Sequence, residues 1–458
     1  MGILKESNHL RDLAGLHAVS SNNDMNESIV NRTYKPHVLV VGVLLFPYLI
    51  PPFAQTSFSA ISSILSYSVP VGLALLYIAF VRDLRLPQLK NLPIAFFTLI
   101  LVLTLLAIGL DLNRASGSDF IELLKPIAML LTFSLGYSLL WNQQRIKSYI
   151  IRALVILLSL SALLAIIEII PNNWTDEISQ LYVRPRGSLQ NKAIGPFRAP
   201  YFAGSVYLYL AFSFLGLYIA TKKIHFFFLF TVGVLLAVLT QSRTVFLAIV
   251  ISAPVWVILY LSYHRAIKPK RIKPGKILFA IIGVLGSLLF AAIIYLVLRD
   301  RLGYLISGVN AYILNLPAHI TRDAGSVGIR MSQIRFVIEN NPYIVVGAGI
   351  GKEYIGHLES FYALYYYRYG LAGIGIYSLL WIAGLRYSWR AMRYAQRVGD
   401  VYCAGFFLGF VGFIVVLPIL SLSSVITDQP TLYGIFYTLL GVVFSYYFKV
   451  VQPHSNVR

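Results

Sequence analysis

Charged residues are scarce in this chain of 458 residues. Asp, Glu, Lys and Arg make up 12% of it and hydrophobic residues make up 58%, whereas a soluble protein usually carries about 25% charged residues. Apolar runs of roughly 20 residues recur along the chain, and that length spans a bilayer core of about 30 Å. The composition therefore excludes an ordinary soluble domain and predicts an all-α membrane protein with many spans.

Patterns that bind metals are also missing. The one cysteine, Cys403, lies in an apolar stretch, so an intramolecular disulfide is excluded. The segments that we predict to face outward hold two histidines, His319 and His357, and no HExxH or CxxC pattern, so a zinc site lacks ligands. They have no DxD-like carboxylate pair either, which disfavours a nucleotide sugar held by Mg²⁺. We therefore expect neither a metal nor another cofactor.

A complete phosphate-binding loop is absent as well. The sequence GAGIGK (347–352) has Val346 where a P-loop needs glycine and Glu353 where it needs Ser or Thr. We expect these glycines to form a tight turn instead, because glycine adopts backbone angles that other residues avoid.

The apolar runs predict twelve membrane spans within one catalytic domain, residues 37–448. A cytoplasmic N-terminal tail (1–36), which lacks the apolar core of a cleaved signal peptide, precedes the domain, and a cytoplasmic tail (449–458) follows it. The spans are about 37–54, 60–81, 92–110, 123–141, 149–170, 201–221, 225–240, 245–264, 277–298, 360–385, 401–422 and 431–448.

The distribution of basic residues predicts the orientation of the spans. The net charge is +20, and every connection on the side of the N-terminus is basic, whereas the short connections on the other side are mostly neutral or acidic on balance. Such sorting places both termini in the cytoplasm. The run KPKRIKPGK (268–276) is then an anchor on anionic lipid rather than a nucleic-acid site. The two long outer segments, 171–200 and 299–359, are where we expect binding or chemistry.

Several arginines lie on the predicted outer side. Guanidinium groups bind phosphate oxygens through paired hydrogen bonds, so these residues are candidates for an anion site. For those in open loops a solvated surface role is the simpler interpretation. The outer arginines are Arg184, Arg186, Arg198, Arg243, Arg322, Arg330 and Arg335, and Arg368 lies inside the predicted tenth span.

The neighbours of two of these arginines bear on whether each has a functional or a structural role. Arg243 lies in TQSRT (240–244), where its polar neighbours predict a small polar pocket at a hairpin tip, although snorkelling from a helix end to the headgroups is the alternative. Arg368 is costly inside a membrane. It is either a functional residue or the partner of an internal acid such as Glu168, and the sequence leaves both open.

The stretch that leads into the tenth span combines a histidine, an acid and an aromatic run. If the helix begins near His357, residues 357, 361, 364 and 368 share one face, with Arg368 roughly 16 Å deeper and Glu359 on the opposite side. Five tyrosines within 362–369 exceed what an interfacial belt needs, and we predict that Tyr362 and Tyr366 bind sugar or lipid. His357 is either a catalytic group or a loop histidine in contact with water.

Four pieces of the chain together resemble the superfamily of O-antigen polymerases and O-antigen ligases, membrane enzymes with a GT-C-like fold. GPFRAPYFAGSVYLYLAF (195–212) is similar to its Gly-x-Phe stretch, and TQSRTVFLAIV (240–250) to its Ser-Arg hairpin. GIRMSQIRFVIENNPYIVVGAGIG (328–351) resembles its Gly-x-Arg segment, and GHLESFYALYYYRYGLAGI (356–374) its histidine-containing segment with a Tyr-Gly-Leu-x-Gly turn. The likeness covers about residues 180–390.

The resemblance implies a substrate and roles for residues. Such enzymes use a glycan on undecaprenyl diphosphate at the periplasmic face of the bacterial inner membrane and transfer it to a sugar hydroxyl, with inversion and without a metal. Arg243 and Arg330 match the functional arginines of the family, and Arg198 joins them in binding the diphosphate. His357 suits the role of base by its ordinary pKa, with Glu359 as the second candidate. Arg368 is assigned to substrate binding.

Three functions stay open at this point. The first is polymerisation of lipid-linked repeat units into O-antigen or a related surface polysaccharide. The second is a ligase that moves finished glycan onto lipid A–core; family members often carry Asn directly after the histidine, and Leu358 in that place favours the polymerase. The third is a flippase for a lipid-linked sugar, which predicts charges within many spans. Partners are the lipid-linked glycan and membrane lipid, with a chain-length-regulating membrane protein left open and no nucleic acid expected.

Overall fold

The structure, a computed structural model, describes residues 92–112, 122–142, 146–169, 192–197, 199–267, 326–350 and 358–452, with the isolated positions Gly42, Ser68, Val71, Gly72 and Leu75. All regular structure among these residues is helical. The helices are α1 (Leu92–Leu110), α2 (Leu124–Asn142), α3 (Ile146–Ile169), α4 (Pro200–Thr221), α5 (Ile224–Leu239), α6 (Arg243–Ile267), α7 (Ser326–Asn340), α8 (Phe361–Arg397), α9 (Val401–Leu420) and α10 (Pro430–Tyr446). Short 3-10 turns lie at Gly195–Phe197 and Ile426–Asp428, and α10 continues as a π-helical turn, Tyr447–Val451.

Seven described helical segments are long and apolar enough to cross a membrane, which confirms an all-α, multi-pass architecture. They are Pro93–Leu110, Ile150–Ile169, Pro200–Thr221, Arg243–His264, Phe361–Arg397, Val401–Leu420 and Leu432–Val451. The predicted spans 123–141 and 225–240 correspond to α2 and to the shorter apolar helix α5. Those at 37–54, 60–81 and 277–298 lie outside the described residues apart from isolated positions, so the count of twelve stays a prediction.

Small residues let two pairs of helices approach closely. A side chain at Gly216 of α4 would collide with the backbone of Gly405 and Gly409 of α9. A side chain at Gly136 of α2 would collide with the backbone of α10, and one at Gly441 of α10 would collide with α2. Close backbone approach strengthens packing where apolar lipid supplies no hydrophobic driving force. These two pairs form the frame that holds the connections described below.

One end of the bundle, which contains the tight connection between α5 and α6, is called here the Arg243 end. At the opposite end, basic side chains lie on tyrosines: Lys223 donates to the Tyr402 hydroxyl at 2.7 Å, and Arg390 donates to the Tyr447 hydroxyl at 2.8 Å. Lys223 and Arg390 belong to the connections that we predict to be cytoplasmic. Which side is cytoplasmic stays a prediction.

Gly370 divides α8 into two helical segments, 361–369 and 371–397. Its φ of 59° and ψ of −156° are not helical, and a positive φ of this kind favours glycine because other residues meet a steric penalty there. The second segment alone is long enough to cross a bilayer at 1.5 Å per residue. The predicted span 360–385 therefore contains a break at Gly370.

The first segment of α8 folds back along the second. The ring centroid of Phe361 lies 5.6 Å from that of Tyr377 and 5.1 Å from that of Trp381. Nearer the break, Tyr365 lies 4.6 Å from Tyr377. Residues ten to twenty positions apart can pair in this way only if the chain reverses, so α8 is a helical hairpin with its apex at Gly370.

This reversal corrects the predicted course of the chain around Arg368. The helix begins at Phe361, with Ser360 as its N-cap residue, so a helical face shared by residues 357, 361, 364 and 368, which required a start near His357, does not form. The first segment runs toward the apex, which places Arg368 beside Glu122, just before α2. Arg368 therefore lies further from the middle of the bundle than Phe361 does, and the predicted order of depth is reversed.

The segment 341–350 closes the break in α8. Leu371 donates its N–H to the carbonyl of Ile344 at 2.9 Å, and Ala372 donates to Val345 at 3.0 Å. These are N–H groups at the start of a helical segment, which have no partner within the helix. A side chain at Gly347, whose φ is 84°, would collide with the backbone of residue 368. Gly347, the first glycine of the GAGIG sequence, thus lies in a tight turn, and the turn packs on the hairpin apex.

Candidate active site

Hydrogen bonds join the connection that carries Arg243 to the start of α8. Thr244 donates its hydroxyl to Ser423, just beyond α9, at 2.9 Å. In the same connection, the carbonyl of Ser421 accepts the N–H of Phe361 at 3.1 Å. Three segments that are distant in the sequence therefore meet at the Arg243 end.

The tip of the α5–α6 connection is buried within the protein. Thr240, Gln241 and Ser242 are all buried, and Thr240 donates its hydroxyl to the carbonyl of Ala237 at 2.7 Å. Arg243 follows as the first residue of α6 and is half-buried. Because the tip is enclosed by protein, the alternative that Arg243 snorkels to lipid headgroups is disfavoured.

The short segment 192–197 packs against this tip. The N–H of Ala193 donates to the carbonyl of Leu239, the last residue of α5, at 3.1 Å. Lys192 is buried, and burial lowers its pKa from the ordinary value; the positive charge of Arg243 lowers the pKa further. Two cations therefore lie near each other in a largely desolvated place. No sequence pattern had pointed to Lys192.

Arg330 and Glu359 are brought to the same neighbourhood by α7, which lies within the predicted outer loop 299–359. The N–H of Glu359 donates to the side chain of Gln333 at 3.3 Å. Arg330 lies one turn before Gln333, on the same face of the helix, and is half-buried, whereas Glu359 is exposed. Below this contact, α7 packs on the first segment of α8 through Val337.

The tyrosines of α8 differ in exposure. Tyr365, Tyr367 and Tyr369 are buried and belong to the packed interior. Tyr362 is half-buried and donates its hydroxyl to the carbonyl of Pro418 at 3.0 Å. Tyr366 is half-buried and packs on the cluster between α7 and α8. Most of the aromatic run is therefore core, and the two predicted sugar-binding tyrosines are its more accessible members.

Arg368 has an acidic partner, which is Glu122. Its Nη1 atom lies 3.3 Å from Oε2 of Glu122, and Nζ of Lys125 lies 2.6 Å from the same oxygen. Glu168, the acid suggested by the sequence, instead accepts the N–H groups of Ile194 and Gly195 at 2.7 and 2.9 Å. Sequence reasoning missed Glu122 as a partner because no local pattern shows that the short connection ending at Glu122 lies beside Arg368.

A second buried carboxyl, Asp428, lies in the connection between α9 and α10. Tyr365 donates to one of its oxygens, and Tyr377 donates to the other at 3.2 Å. Burial raises the pKa of Asp428 to about 7; the charge of Lys125 lowers this pKa and that of Glu122 raises it. The sequence offered no signal for this group, which lay in a short predicted outer connection.

A small apolar crevice of about 30 Å³ lies between α4, α9 and α10. Its walls include Val206, Phe410, Phe413 and Leu417. Ser205, at its rim, follows Gly204, which packs against Thr240 and Val245. The crevice therefore borders the connection that carries Arg243.

The structure brings together part of the predicted site. Arg243, Arg330, Glu359 and Tyr362 lie on segments joined directly or through neighbours at the Arg243 end. His357 and Arg198 lie outside the described residues. Among the residues that the structure describes, no group of three or more His, Cys, Asp or Glu could hold a metal ion.

These features define a multi-pass helical membrane protein with charged and polar side chains gathered at one end of its bundle. No known family model matches the chain, and no curated protein matches it. The resemblance to the O-antigen polymerase and ligase superfamily therefore stays a prediction.

Proposed function

We propose that this chain is a metal-independent, inverting glycosyltransferase that polymerises oligosaccharide repeat units carried on undecaprenyl diphosphate. The proposal includes a twelve-span, GT-C-like architecture in the bacterial inner membrane, with both termini in the cytoplasm. The Arg243 end would face the periplasm. The product would be an O-antigen or a related surface polysaccharide.

The observation that carries the proposal is the convergence of Arg243, Arg330 and Glu359. Arg243 is tied to the start of α8 through Thr244 and the α9–α10 connection. Arg330 is tied to the same start through the contact of Gln333 with Glu359. Cations that bind a diphosphate and a carboxylate that orients a hydroxyl must lie within one substrate length of each other, and these contacts favour that arrangement.

The proposed reaction is a displacement at the anomeric carbon of the donor glycan. An acceptor hydroxyl oxygen bonds to that carbon, the bond between the carbon and the phosphate oxygen breaks, and its electron pair leaves with undecaprenyl diphosphate. The hydroxyl proton passes to His357, or to Glu359 as the second candidate. Arg243 and Arg330 stabilise the charge that grows on the leaving group, and removal of one such donor typically slows a reaction by about 10²–10³-fold.

The apolar crevice supports a lipid-linked donor. It opens beside the connection that carries Arg243 and is walled by apolar side chains. An apolar surface beside Arg243 suits a diphosphate that carries an isoprenoid tail, whereas a soluble nucleotide sugar would not need one.

Deletion of the gene and inspection of the surface glycan on a gel test the proposal. Loss of a polymerase leaves core that bears a single repeat unit. Loss of a ligase leaves bare core while long lipid-linked chains accumulate, and loss of a flippase traps single units inside the cell. Either of the last two patterns, or an unchanged glycan, would overturn the proposal.

A further inference from the structure

We propose that Lys192 is a second cationic ligand for the donor diphosphate and binds it together with Arg243. This inference rests on the proposed function and extends it to a segment between α3 and α4. The chemical class of ligand is a diphosphate ester with an apolar tail.

A backbone hydrogen bond to the end of α5 places Lys192 beside the α5–α6 connection. Ala193 donates to the carbonyl of Leu239, the last residue of α5, and Arg243 begins α6 after the three-residue tip. The side chain of Lys192 stays near this tip and is only 6% exposed. A lysine on an open loop would instead extend into water.

A second contact holds the following residues. The carboxylate of Glu168, at the end of α3, accepts the N–H groups of Ile194 and Gly195. This acid is therefore engaged with the backbone and fixes the segment against α3. The three residues after Lys192 are thus held by backbone hydrogen bonds to α5 and to Glu168, which favours a preorganised ligand.

The electrostatics of this place favour an anion. Burial penalises the charged form of a lysine, and a nearby cation penalises it again. Both effects act on Lys192 and lower its pKa. A bound diphosphate would reverse them, with Arg243 forming a planar paired contact and Lys192 acting as a compact point charge.

Binding of undecaprenyl diphosphate to the full-length protein in nanodiscs of zwitterionic lipid tests the inference. We expect Lys192→Gln to weaken binding at least about tenfold, as for a hydrogen bond to a charged group, and Lys192→Arg to restore it. Lys223→Gln is the matched control, because Lys223 lies at the opposite end on Tyr402. Inorganic diphosphate and phosphatidylglycerol are the competing probes. Equal affinity for phosphatidylglycerol, with equal loss in Lys192→Gln, would mean a general headgroup site and overturn the inference.

The pH dependence of binding distinguishes a ligand from a structural residue. Binding by the native protein should weaken as pH rises, because Lys192 loses its proton at a lower pH than an ordinary lysine. Lys192→Arg should lack this component of the pH dependence, since arginine keeps its charge. Arg243, Glu168 and Tyr207, which surround this segment, are the same in both proteins and cannot produce the difference.

Each result has one meaning. Lys192 is no ligand if Lys192→Gln binds like the native protein, if Lys192→Arg has the native pH dependence, or if the native protein does not bind the probe. Should Lys192→Gln fail to fold, the pH profile of Lys192→Arg decides alone. If Arg243→Gln loses the surface glycan while Lys192→Gln keeps it and binds the probe normally, only this inference is wrong. If Arg243→Gln keeps the surface glycan, the proposed function is wrong.

Discussion

Arg368 and Glu122 form a buried ion pair with 3.3 Å between Nη1 and Oε2, and their side chains are only 7% and 5% exposed. Lys125 shares the same carboxylate oxygen at 2.6 Å. One acid thus balances two cations, and the contact ties the apex of the α8 hairpin to the start of α2. Removal of Glu122 therefore affects both cations, whereas removal of either cation leaves the other paired with Glu122.

Glu122→Gln should destabilise the protein much more than Arg368→Gln. Loss of the acid removes the partner of the buried Arg368 and of the half-buried Lys125, and breaking a buried pair in this way costs about 3–5 kcal/mol. Loss of Arg368 leaves the contact between Glu122 and Lys125 intact. Thermal unfolding in detergent would measure both, with Glu339→Gln on the exposed face of α7 as the control. Equal effects of the two variants would contradict the shared-acid arrangement.

Gly370→Ala should destabilise the α8 hairpin, whereas Gly375→Ala should not. At Gly370 the φ is 59° and a side chain would collide with the carbonyl of Val345, so the loss should exceed about 1 kcal/mol. Gly375 lies inside the second segment of α8 with open space around it, so alanine there should be neutral or raise stability by up to about 1 kcal/mol. The two melting temperatures give the comparison, and a stable Gly370→Ala protein would argue against the break.

The free energy of unfolding should decrease as pH rises from about 4 to 7, because Asp428 titrates over this range. The folded-state pKa is raised by burial to about 7, above the ordinary value of about 3.9 in an unfolded chain. The contribution of this carboxyl is therefore full below the unfolded pKa and is lost as pH rises through the folded pKa, and it amounts to a few kcal/mol. Asp428→Asn should lack this component, so melting curves of the two proteins should converge or cross as pH rises from 5 to 8. Parallel pH profiles would refute the prediction.

Arg243→Ala and His357→Ala should each abolish glycan elongation while the protein still accumulates in the membrane. The expected loss is about 10²–10³-fold for one stabilising donor and about 10²–10⁴-fold for a general base. Glycan length and yield on a gel, with membrane levels measured by immunoblot, provide the readout. Arg393→Gln, a basic residue that lies over Trp389 in the last turns of α8, serves as the control. Full glycan length in either alanine variant would show that the site is wrong.

The membrane class of this protein and most of its described helices were predictable from the sequence. An apolar run of bilayer length can be recognised without knowledge of its neighbours. Such a helix satisfies its own backbone hydrogen bonds and can be buried in lipid by itself. The polar cluster TQSRT at the start of α6 could also be recognised from the sequence, because polar residues that interrupt apolar helices are rare. The turn at Gly347 could likewise be predicted from neighbouring residues alone.

The partners of buried charges could not be predicted. For Arg368 the sequence left open a functional role or an acidic partner such as Glu168. The partner in the structure is Glu122, and Glu168 instead accepts two backbone N–H groups. The cluster of Asp428 with Tyr365 and Tyr377, and the approach of Lys192 to Arg243, likewise depend on contacts between separate segments. Pairing of this kind carries no periodicity that a sequence could display.

The sequence by itself determined that the chain is helical, multi-pass and polar at the tip that carries Arg243. Only the tertiary structure decided that α8 reverses at Gly370 and that Arg368 lies beyond Phe361 rather than below it. The physical reason is that apolar periodicity reports burial, which is the same whether a helix continues or folds back. The direction of the chain is instead set by one glycine conformation and by the carbonyl groups of residues 344 and 345 that close the break.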